Sequence, residues 1–332
     1  MSDKANKPKT IRWGIIGCGD VTEVKSGPAY QQTEGFEVIS VMRRNEEKLK
    51  DYALRHGISK YTTDADQLIN DPEVDAVYIA TPPDTHKLYA LKVAEAGKPC
   101  CVEKPLSPSY EESLAIYSAF ENKNIPLFTA YYRRSLPRFQ QVYTWLKNDE
   151  IGEIRHINWH LSKAPSPTDL AKKPNWRTDP VVAPGGYFDD LASHGLDLFA
   201  YLLGEMKQVN GISINQQQLY GAKDAFAACW IHEGGATGAG SWNFGCDRTE
   251  DRVEIYGSKG KIQFAVFEEV PVILDGENKQ EELFIEHPKS VQLHHVENMK
   301  KHLVNKGFIH PSSGGNGLHT SWVMDKILSK IN

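Results

Sequence analysis

The sequence predicts an α/β protein in which a parallel, doubly wound sheet precedes an α+β region with a large, mostly antiparallel open sheet. Between Ile11 and Ala130, short continuous apolar runs alternate with longer amphipathic stretches, the pattern of parallel strands covered by helices on both faces. After Ala130, many strand-like runs are separated by glycine-containing turns, which favours hairpins. The 332 residues are long for one domain, so two domains are expected.

Apolar runs and helical stretches place the elements of the first region. The runs predict strands over 11–16, 36–42, 76–80, 99–102 and 126–130. The stretches between them predict helices over 46–56, 85–96 and 110–122, several followed by a glycine in the manner of a helix C-cap. The first domain is therefore predicted over 11–133, after a polar tail over 1–10.

The second domain, predicted over 134–332, begins with a helix over 136–147. Strands are predicted over 154–161, 209–214, 225–231, 240–244, 252–255, 261–267 and 270–274. Asp189 is a good N-cap for a helix that ends at Leu203, and two late amphipathic helices are predicted over 291–305 and 318–331.

Composition excludes several classes of function. A net charge of −5 gives no basic surface for nucleic acid or an anionic membrane. No run approaches the ~18 apolar residues of a membrane span, and the Lys-rich start lacks the apolar core of a signal peptide. The five cysteines form no CxxC pair, and no HExxH motif or third ligand suggests a metal site. We therefore expect a reduced, cytoplasmic, metal-free protein.

A glycine-rich turn follows the first predicted strand. Gly17 and Gly19 allow a tight turn whose backbone N–H groups can approach a pyrophosphate at a helix N-terminus, next to Asp20 and Val21. Thr22 occupies the position of the usual third glycine, which should loosen helix packing slightly. The turn predicts a Rossmann-type dinucleotide site. Ser26-Gly27-Pro28 suggests that the following helix is interrupted and restarts at Pro28.

The end of the second strand bears on the choice of cofactor. Domains that prefer NAD usually carry an acidic residue about 20 residues past the glycines, to bind the adenosine ribose. Arg43 and Arg44 stand there instead and could bind a 2′-phosphate. The alternative is a pair of solvated arginines that open the next helix. The sequence favours NADP, with NAD as the alternative.

Two further strand ends carry polar residues at the same edge of the predicted sheet. Thr81, Pro82 and His86 follow the 76–80 strand, and Glu103 and Lys104 follow the 99–102 strand. His86 could equally be a surface residue in the first turn of a helix. Pro105 keeps Lys104 in extended backbone, so the lysine is a candidate for contact with a ligand.

In the second domain, Asp190 and His194 are four residues apart on a predicted helix, so they share one face. A carboxylate beside an imidazole sets its tautomer and raises its pKa, which suits proton transfer near neutral pH. A surface ion pair is the commoner explanation of this spacing alone.

Taken together and in this order, these motifs resemble the Gfo/Idh/MocA family of oxidoreductases, which includes glucose–fructose oxidoreductase and inositol dehydrogenase. The resemblance covers the chain after Thr10 and rests on the motifs Gly17-x-Gly19, Ala80-Thr-Pro-Pro-x-x-His86, Glu103-Lys104-Pro105, and Gly185-Gly186 followed by Asp190-x-x-x-His194-x-x-Asp197. It implies a Rossmann domain and a C-terminal domain whose open sheet builds homodimers or homotetramers.

The resemblance also implies roles for individual residues. Lys104, Asp190 and His194 match the family's catalytic trio. The positions that match its cofactor-binding residues are Gly17, Gly19, Thr81, Pro82, His86, Glu103, Lys104, Trp176 and Arg177. Two positions depart from the pattern: Ala192 replaces a usual glycine, and Arg43 replaces the acidic residue of NAD-using members.

The function predicted is hydride transfer between NAD(P) and an alcohol or ketone of a sugar, polyol or related cyclic substrate. His194 is expected to take the hydroxyl proton while Lys104 stabilises the oxyanion and Asp190 orients His194. Candidates for the cleft wall are Tyr132, Arg133 and Arg134. Two alternatives remain: a glycosidase that uses bound NAD for transient oxidation, and a non-catalytic NADP-binding regulator.

Overall fold

The computed structural model describes residues 10–305 and 307–330, so nearly all of the predicted polar tail lies outside the described residues. Two sheets organise the chain. The first has six parallel strands in the order β3-β2-β1-β4-β5-β6, and the second has eight strands in the order β14-β13-β12-β11-β7-β10-β9-β8. In the second sheet, β7 and β10 pair in parallel and the other neighbours are antiparallel. The predicted fold class is confirmed.

The first sheet and its helices follow the predicted alternation closely. Its strands are β1 (Ile11–Ile16), β2 (Phe36–Met42), β3 (Lys60–Thr62), β4 (Ala76–Ile79), β5 (Cys100–Val102) and β6 (Leu127–Thr129). The helices between them are α1 (Asp20–Val24), α2 (Gly27–Gln32), α3 (Glu46–Arg55), α4 (Ala65–Asn70), α5 (His86–Glu95) and α6 (Tyr110–Glu121). The break between α1 and α2 confirms the predicted interruption, with Pro28 in the first turn of α2.

The second region is built mainly from hairpins. Its strands are β7 (Ile154–Ser162), β8 (Met206–Ile214), β9 (Ala225–His232), β10 (Thr237–Asn243), β11 (Glu250–Gly257), β12 (Gly260–Phe264), β13 (Val272–Gly276) and β14 (Gln280–Leu283). Its helices are α7 (Pro137–Lys147), α8 (Pro167–Leu170), α9 (Ser193–Leu203), α10 (Leu293–Val304) and α11 (Gly314–Ile327). Short 3₁₀ turns cover Pro83–Thr85, Tyr132–Ser135 and Trp176–Thr178, and Phe188–Ala192 forms a π-helical turn.

Four of the helices and strands in the described residues were not predicted, namely β3, α4, α8 and β14, each six residues or shorter. The last helix was placed four residues too late. Helix α11 begins at Gly314, whereas the prediction began at residue 318. A Cβ at Gly314 would lie 2.4 Å from Leu127, and one at Gly317 would lie 2.3 Å from Thr129. The glycines are therefore needed for the close approach of α11 to β6.

The helix that carries the predicted Asp190–His194 pair packs tightly on the second sheet. A Cβ at Gly195 would lie 2.4 Å from the ring of Trp159, so α9 approaches β7 closely. Phe188 stacks on Phe226 with 4.5 Å between ring centroids and packs edge-on against Trp242 at 5.2 Å. These contacts fix the π-helical turn that holds Asp190.

Both late helices return to the first region. Val296 and Met299 of α10 are fully buried in the hydrophobic cluster of the first sheet, beside Trp13 and Tyr30. Helix α11 packs against α6 on one side and β8 on the other. The two regions are thus joined along a broad contact, and the edge where β4 and β5 end faces the start of α9. Within residues 10–305 and 307–330, no helix has the length and apolar composition needed to cross a membrane.

Candidate active site

The glycine turn lies at the carboxyl end of β1. Gly17 has φ +95°, and a Cβ there would lie 2.7 Å from the Thr81 side chain and 2.8 Å from its backbone nitrogen. Glycine is therefore required at this position. A Cβ at Gly19 would meet nothing within 4 Å, which leaves open space beside the turn. Asp20, exposed, and Val21, half-buried, open α1.

A cavity of about 300 Å³ adjoins this turn. Its lining joins three of the predicted strand ends: Gly17, Cys18, Gly19, Met42, Arg43, Arg44, Asn45, Ala80, Thr81, Pro82 and Tyr89. The glycine turn supplies backbone N–H groups and space, while the arginines supply positive charge, so the residues present fit one end of a dinucleotide. Among these described lining residues there is no carboxylate. Arg43 donates from Nη1 to the Cys18 carbonyl at 2.8 Å, and Arg44 is exposed.

His86 does not line this cavity, which corrects the prediction made for it. Its side chain is fully buried at the start of α5. Nε2 lies 2.8 Å from the Thr81 carbonyl, and Nδ1 lies 3.0 Å from the Pro105 carbonyl and 3.2 Å from that of Leu106. Burial lowers the pKa of His86. The imidazole therefore ties the loop after β4 to the loop after β5, and it acts by positioning both.

Glu103 is buried directly after β5. Its Oε1 accepts hydrogen bonds from Tyr78 Oη at 2.6 Å and from Gln292 Nε2 at 2.8 Å. The peptide bond between Lys104 and Pro105 is cis. Glu103 thereby anchors the backbone from which the Lys104 side chain projects. Local sequence gives no sign of Gln292, which lies 189 residues away just before α10.

Lys104 meets the second domain at Asp190. Its Nζ lies 2.5 Å from Asp190 Oδ1 and donates to the Asp190 carbonyl at 2.8 Å. The other carboxylate oxygen accepts from Arg177 Nε at 2.7 Å. Burial raises the pKa of Asp190, but the charges and hydrogen bonds of Lys104 and Arg177 outweigh it and hold the pKa below its usual value. Two regions thus contribute to one ion-pair cluster.

His194 lies in the first turn of α9, one turn beyond Asp190, and is buried. The predicted partnership with Asp190 is wrong. Both Asp190 oxygens bind cations in a π-helical turn, and Nδ1 of His194 is buried without a hydrogen-bond partner. Burial, reinforced by the charges of Lys104, Arg133 and Lys25, lowers the pKa of His194 well below its usual value, not above it. The imidazole is neutral near pH 7.

Three aromatic rings enclose His194. Its ring centroid lies 5.3 Å from that of Tyr132, 6.1 Å from that of Tyr131 and 5.9 Å from that of Phe267. Tyr132 was a predicted wall residue and is placed beside the imidazole. Phe267 was missed, since an isolated aromatic residue just after a strand carries no local sign of a site.

The two arginines after Tyr132 have different surroundings. Arg133 stacks its guanidinium on Tyr132 and Phe267, next to His194. Arg134 is fully engaged elsewhere: Nε and Nη2 donate to the Asp197 carboxylate at 2.7 and 2.8 Å, and Nη1 donates to the Pro311 carbonyl. The prediction that Arg134 lines the cleft is therefore wrong. Arg134 joins α9 to the segment before α11 as a buried ion pair.

Two other predicted residues adjoin the ion-pair cluster. Trp176 and Arg177 form a 3₁₀ turn in which the guanidinium lies 4.4 Å from the indole ring centroid. Asp189, predicted as an N-cap, lies inside the π-helical turn; its carboxylate accepts from the Gly185 backbone, and burial raises its pKa to about 6. Ala192 is fully buried in the same turn. Over the described ranges, no three His, Cys, Asp or Glu side chains are grouped so as to hold a metal ion.

The fold and this site define an oxidoreductase with a Rossmann nucleotide-binding domain. Residues 11–131 match the oxidoreductase family with an NAD-binding Rossmann fold, and residues 139–263 match the GFO/IDH/MocA C-terminal domain. The chain belongs to the Gfo/Idh/MocA family, as its motifs predicted.

Relatives and solved structures agree with this assignment. The chain is 37% identical to oxidoreductase P35 of Formosa agariphila over 258 residues, which cover 77% of this chain and 80% of that protein. It is 26% identical to myo-inositol 2-dehydrogenase of Thermotoga maritima over 80% of this chain and 79% of the relative. The structure of levoglucosan dehydrogenase with NADH and levoglucosan superposes with a TM-score of 0.86, at 23% identity and 96% coverage of both chains.

Proposed function

We propose that this protein is an NAD(P)-dependent dehydrogenase or reductase that acts on a secondary alcohol or ketone of a sugar, polyol or related cyclic compound. The observation that carries the proposal is the cluster of Lys104, Asp190, Arg177 and His194. Lys104 follows β5, which pairs with β4, and the residues directly after β4 line the cavity at the glycine turn. The names of two relatives, oxidoreductase P35 and myo-inositol 2-dehydrogenase, support the reaction type and the substrate class.

Each polar side chain has a role in oxidation of the alcohol. The nicotinamide ring supplies the hydride acceptor when the cofactor is bound. The neutral imidazole of His194 can accept the hydroxyl proton, because its lowered pKa keeps it unprotonated. Lys104 Nζ can donate a hydrogen bond to the developing alkoxide. Asp190 holds that ammonium in place through its carboxylate and its backbone carbonyl.

Within this proposal, we infer a preference for NADP over NAD. Arg43 and Arg44 line the cavity at the end of β2, where an NAD-specific domain would carry an acidic residue. Arg43 donates one hydrogen bond, from Nη1 to the Cys18 carbonyl, so its other N–H groups can bind a 2′-phosphate.

We also propose a homodimer or homotetramer formed through the outer face of the eight-stranded sheet. Ile212 and Ile214 of β8 are 70% and 54% exposed on that face. Large exposed apolar side chains side by side on a sheet are a feature of subunit interfaces. Light scattering of the wild type and of an Ile212→Glu variant tests this, and a monomeric wild type would contradict it. We place the protein in the reducing cytoplasm, since all five cysteines are free thiols.

The function is tested by screening sugars, polyols and their oxidised forms for a change in NAD(P)H absorbance. Wild type should turn over at least one substrate, and His194→Asn should lose about 10²–10⁴-fold in kcat while still binding the cofactor. Glycoside hydrolysis without net NAD(P)H change would favour the redox-elimination glycosidase instead. Cofactor binding without turnover of any compound would favour a regulator.

A further inference from the structure

Arg133 is a buried cation without a counter-ion. Its side chain is only 7% exposed, and its Nε is buried without any hydrogen-bond partner. Within the described residues its guanidinium joins neither a salt bridge nor a hydrogen bond. An unpaired buried charge costs several kcal/mol in a folded protein, so such groups usually have a partner in the working state.

The neighbouring carboxylates are already engaged. Asp251 accepts from Trp159 Nε1 at 2.9 Å and from the Phe267 backbone at 2.6 Å. Asp190 binds Lys104 and Arg177. Neither carboxylate forms a hydrogen bond or an ion pair with Arg133 among the described residues.

The other groups nearby are mostly cationic or exposed. Arg138 donates to the carbonyls of Glu268 and Val270. Glu269 is exposed and acts on Arg138 and His287 through space, where water screens it. On the described part of the chain, therefore, no carboxylate forms an ion pair with Arg133.

Arg133 lies close to His194, the proposed proton acceptor, because both pack against the same two aromatic rings. Its Cζ lies 5.1 Å from the ring centroid of Tyr132 and 4.5 Å from that of Phe267. Those same rings lie 5.3 Å and 5.9 Å from the imidazole of His194. The nucleotide cavity, by contrast, is lined by the glycine turn and by Arg43 and Arg44, so Arg133 is not needed for the adenosine end.

We propose that Arg133 binds an anionic group of the substrate, a carboxylate or a phosphate carried by the sugar or polyol. Among the described residues, the N–H groups of this guanidinium make no hydrogen bond, so they remain to bind two oxygens side by side, the geometry of carboxylate and phosphate recognition. The proposal deepens the proposed function and rests on it, since it names the class of compound that the same site takes. A neutral sugar would leave this cation without a partner.

The test compares matched substrates that differ by one charged group: glucose with glucuronate, galactose with galacturonate, and glucose with glucose 6-phosphate. The anionic member should have a kcat/KM at least about 10-fold higher, because charge-assisted hydrogen bonds are the strong ones. Arg133→Gln should lower kcat/KM for it about 10- to 100-fold and for the neutral member less than about 3-fold. A higher kcat/KM for the uronates would identify the anion as a carboxylate, and a higher kcat/KM for glucose 6-phosphate would identify it as a phosphate.

Two variants guard against a purely structural explanation. Arg133→Lys keeps the charge but not the paired donors, so its loss should be intermediate. Arg133→Met removes an unpaired buried charge, so the Tm of the substrate-free protein should stay equal or rise. A fall in Tm would show that Arg133 is structural and would overturn the proposal. Arg248→Gln is the charge-matched control, since Arg248 is exposed and pairs only with Asp247.

Failure of this inference differs from failure of the function. Equal turnover of neutral and anionic members, with Arg133→Gln affecting both alike, overturns the inference and leaves the dehydrogenase assignment intact. Should no sugar turn over, calorimetry of the same compounds with the NAD(P)H-loaded protein decides. If the wild type binds the anionic compounds and Arg133→Gln does not, the anion site is supported. If both proteins bind these compounds with equal affinity, the inference is overturned.

Discussion

The two ends of the proposed active site are built in different ways. The proposed nucleotide end consists of the glycine turn, Arg43, Arg44 and the start of the loop after β4, all from the first region. The chemical end joins Lys104 to Asp190 across 86 residues, so it exists only when the two regions are packed together. The first end depends on local backbone geometry, and the second depends on tertiary contact.

The chemical end should be the more sensitive of the two to a single change. Asp190→Asn leaves Lys104 and Arg177 as neighbouring cations without their shared carboxylate. We expect kcat to fall about 10³-fold, since the ammonium loses its position for the developing oxyanion. NAD(P)H affinity should change by less than about 3-fold. Stopped-flow turnover and fluorescence titration measure the two quantities.

Asp247→Asn is the matched control for that variant, because Asp247 is exposed and pairs only with Arg248. A turnover loss below about 10-fold in Asp190→Asn would mean that the ion-pair cluster does not position Lys104.

The backbone at the nucleotide end can be disrupted by one methyl group. Gly17→Ala places a Cβ against Thr81 in backbone with φ +95°, which costs about 1–3 kcal/mol. We expect NAD(P)H to bind about 10- to 100-fold more weakly, while the Lys104–Asp190 contact is retained. Fluorescence titration gives the Kd. Gly57→Ala is the control. Gly57 also has a positive φ, +66°, but a Cβ there would meet nothing within 4 Å. This variant introduces similar backbone strain away from the cavity, so its Kd for NAD(P)H should be unchanged.

These first two predictions show how much could be read from the sequence. The glycine turn and the strand ends were predictable, because each is a local pattern with a known place in a parallel sheet. Asp190 and His194 were singled out by their four-residue spacing on a predicted helix and by the family resemblance. The pairing of Asp190 with Lys104 and Arg177 was not, since a π-helical turn and the packing of two regions determine where the carboxylate points.

Adjacent residues of the same type could not be told apart from the sequence. Arg133 and Arg134 look equivalent as neighbours, yet one is stacked beside His194 and the other is paired with Asp197. His86 fitted a surface residue equally well, and only the fold buries it between two carbonyl-bearing loops. The burial of a polar side chain is a property of the whole fold, so no local pattern reports it.

Cofactor choice is a smaller effect, confined to the nucleotide end. Replacing Arg43 and Arg44 together with serine should weaken NADPH binding about 10-fold or more, since each contact to a phosphate is charge-assisted. NADH binding should change less than about 3-fold. Titrations of the wild type and the variant with each cofactor give the four Kd values. An equal loss of affinity for NADPH and NADH would refute the 2′-phosphate assignment.

The smallest expected effect concerns acid stability, and it belongs to the chemical end. His194 has a usual pKa of 6.5 in the unfolded chain and a much lower pKa when folded, so the unfolded state gains a proton first as pH falls. Its stabilising contribution is present above pH 6.5 and is lost below it. Between pH 6.5 and 5.5 this amounts to about 1 kcal/mol of the free energy of unfolding.

The His194→Asn variant should lose this share of about 1 kcal/mol, as followed by urea unfolding at both pH values. The other buried histidines should keep their shares, namely His86, His295 and His310. The arginines at the nucleotide end keep their charge over this range, so the Arg43→Ser, Arg44→Ser variant should retain the slope of the wild type. An unchanged slope in His194→Asn would contradict the buried, neutral state of the imidazole.

The most direct test of the proposed mechanism is to separate cofactor binding from chemistry at Lys104. Lys104→Met keeps the length of the side chain and removes the ammonium that meets Asp190. With a substrate from the screen, we expect NAD(P)H affinity within about 3-fold of wild type and a kcat lowered at least about 10²-fold. A Lys104→Met protein with near-wild-type kcat would contradict it.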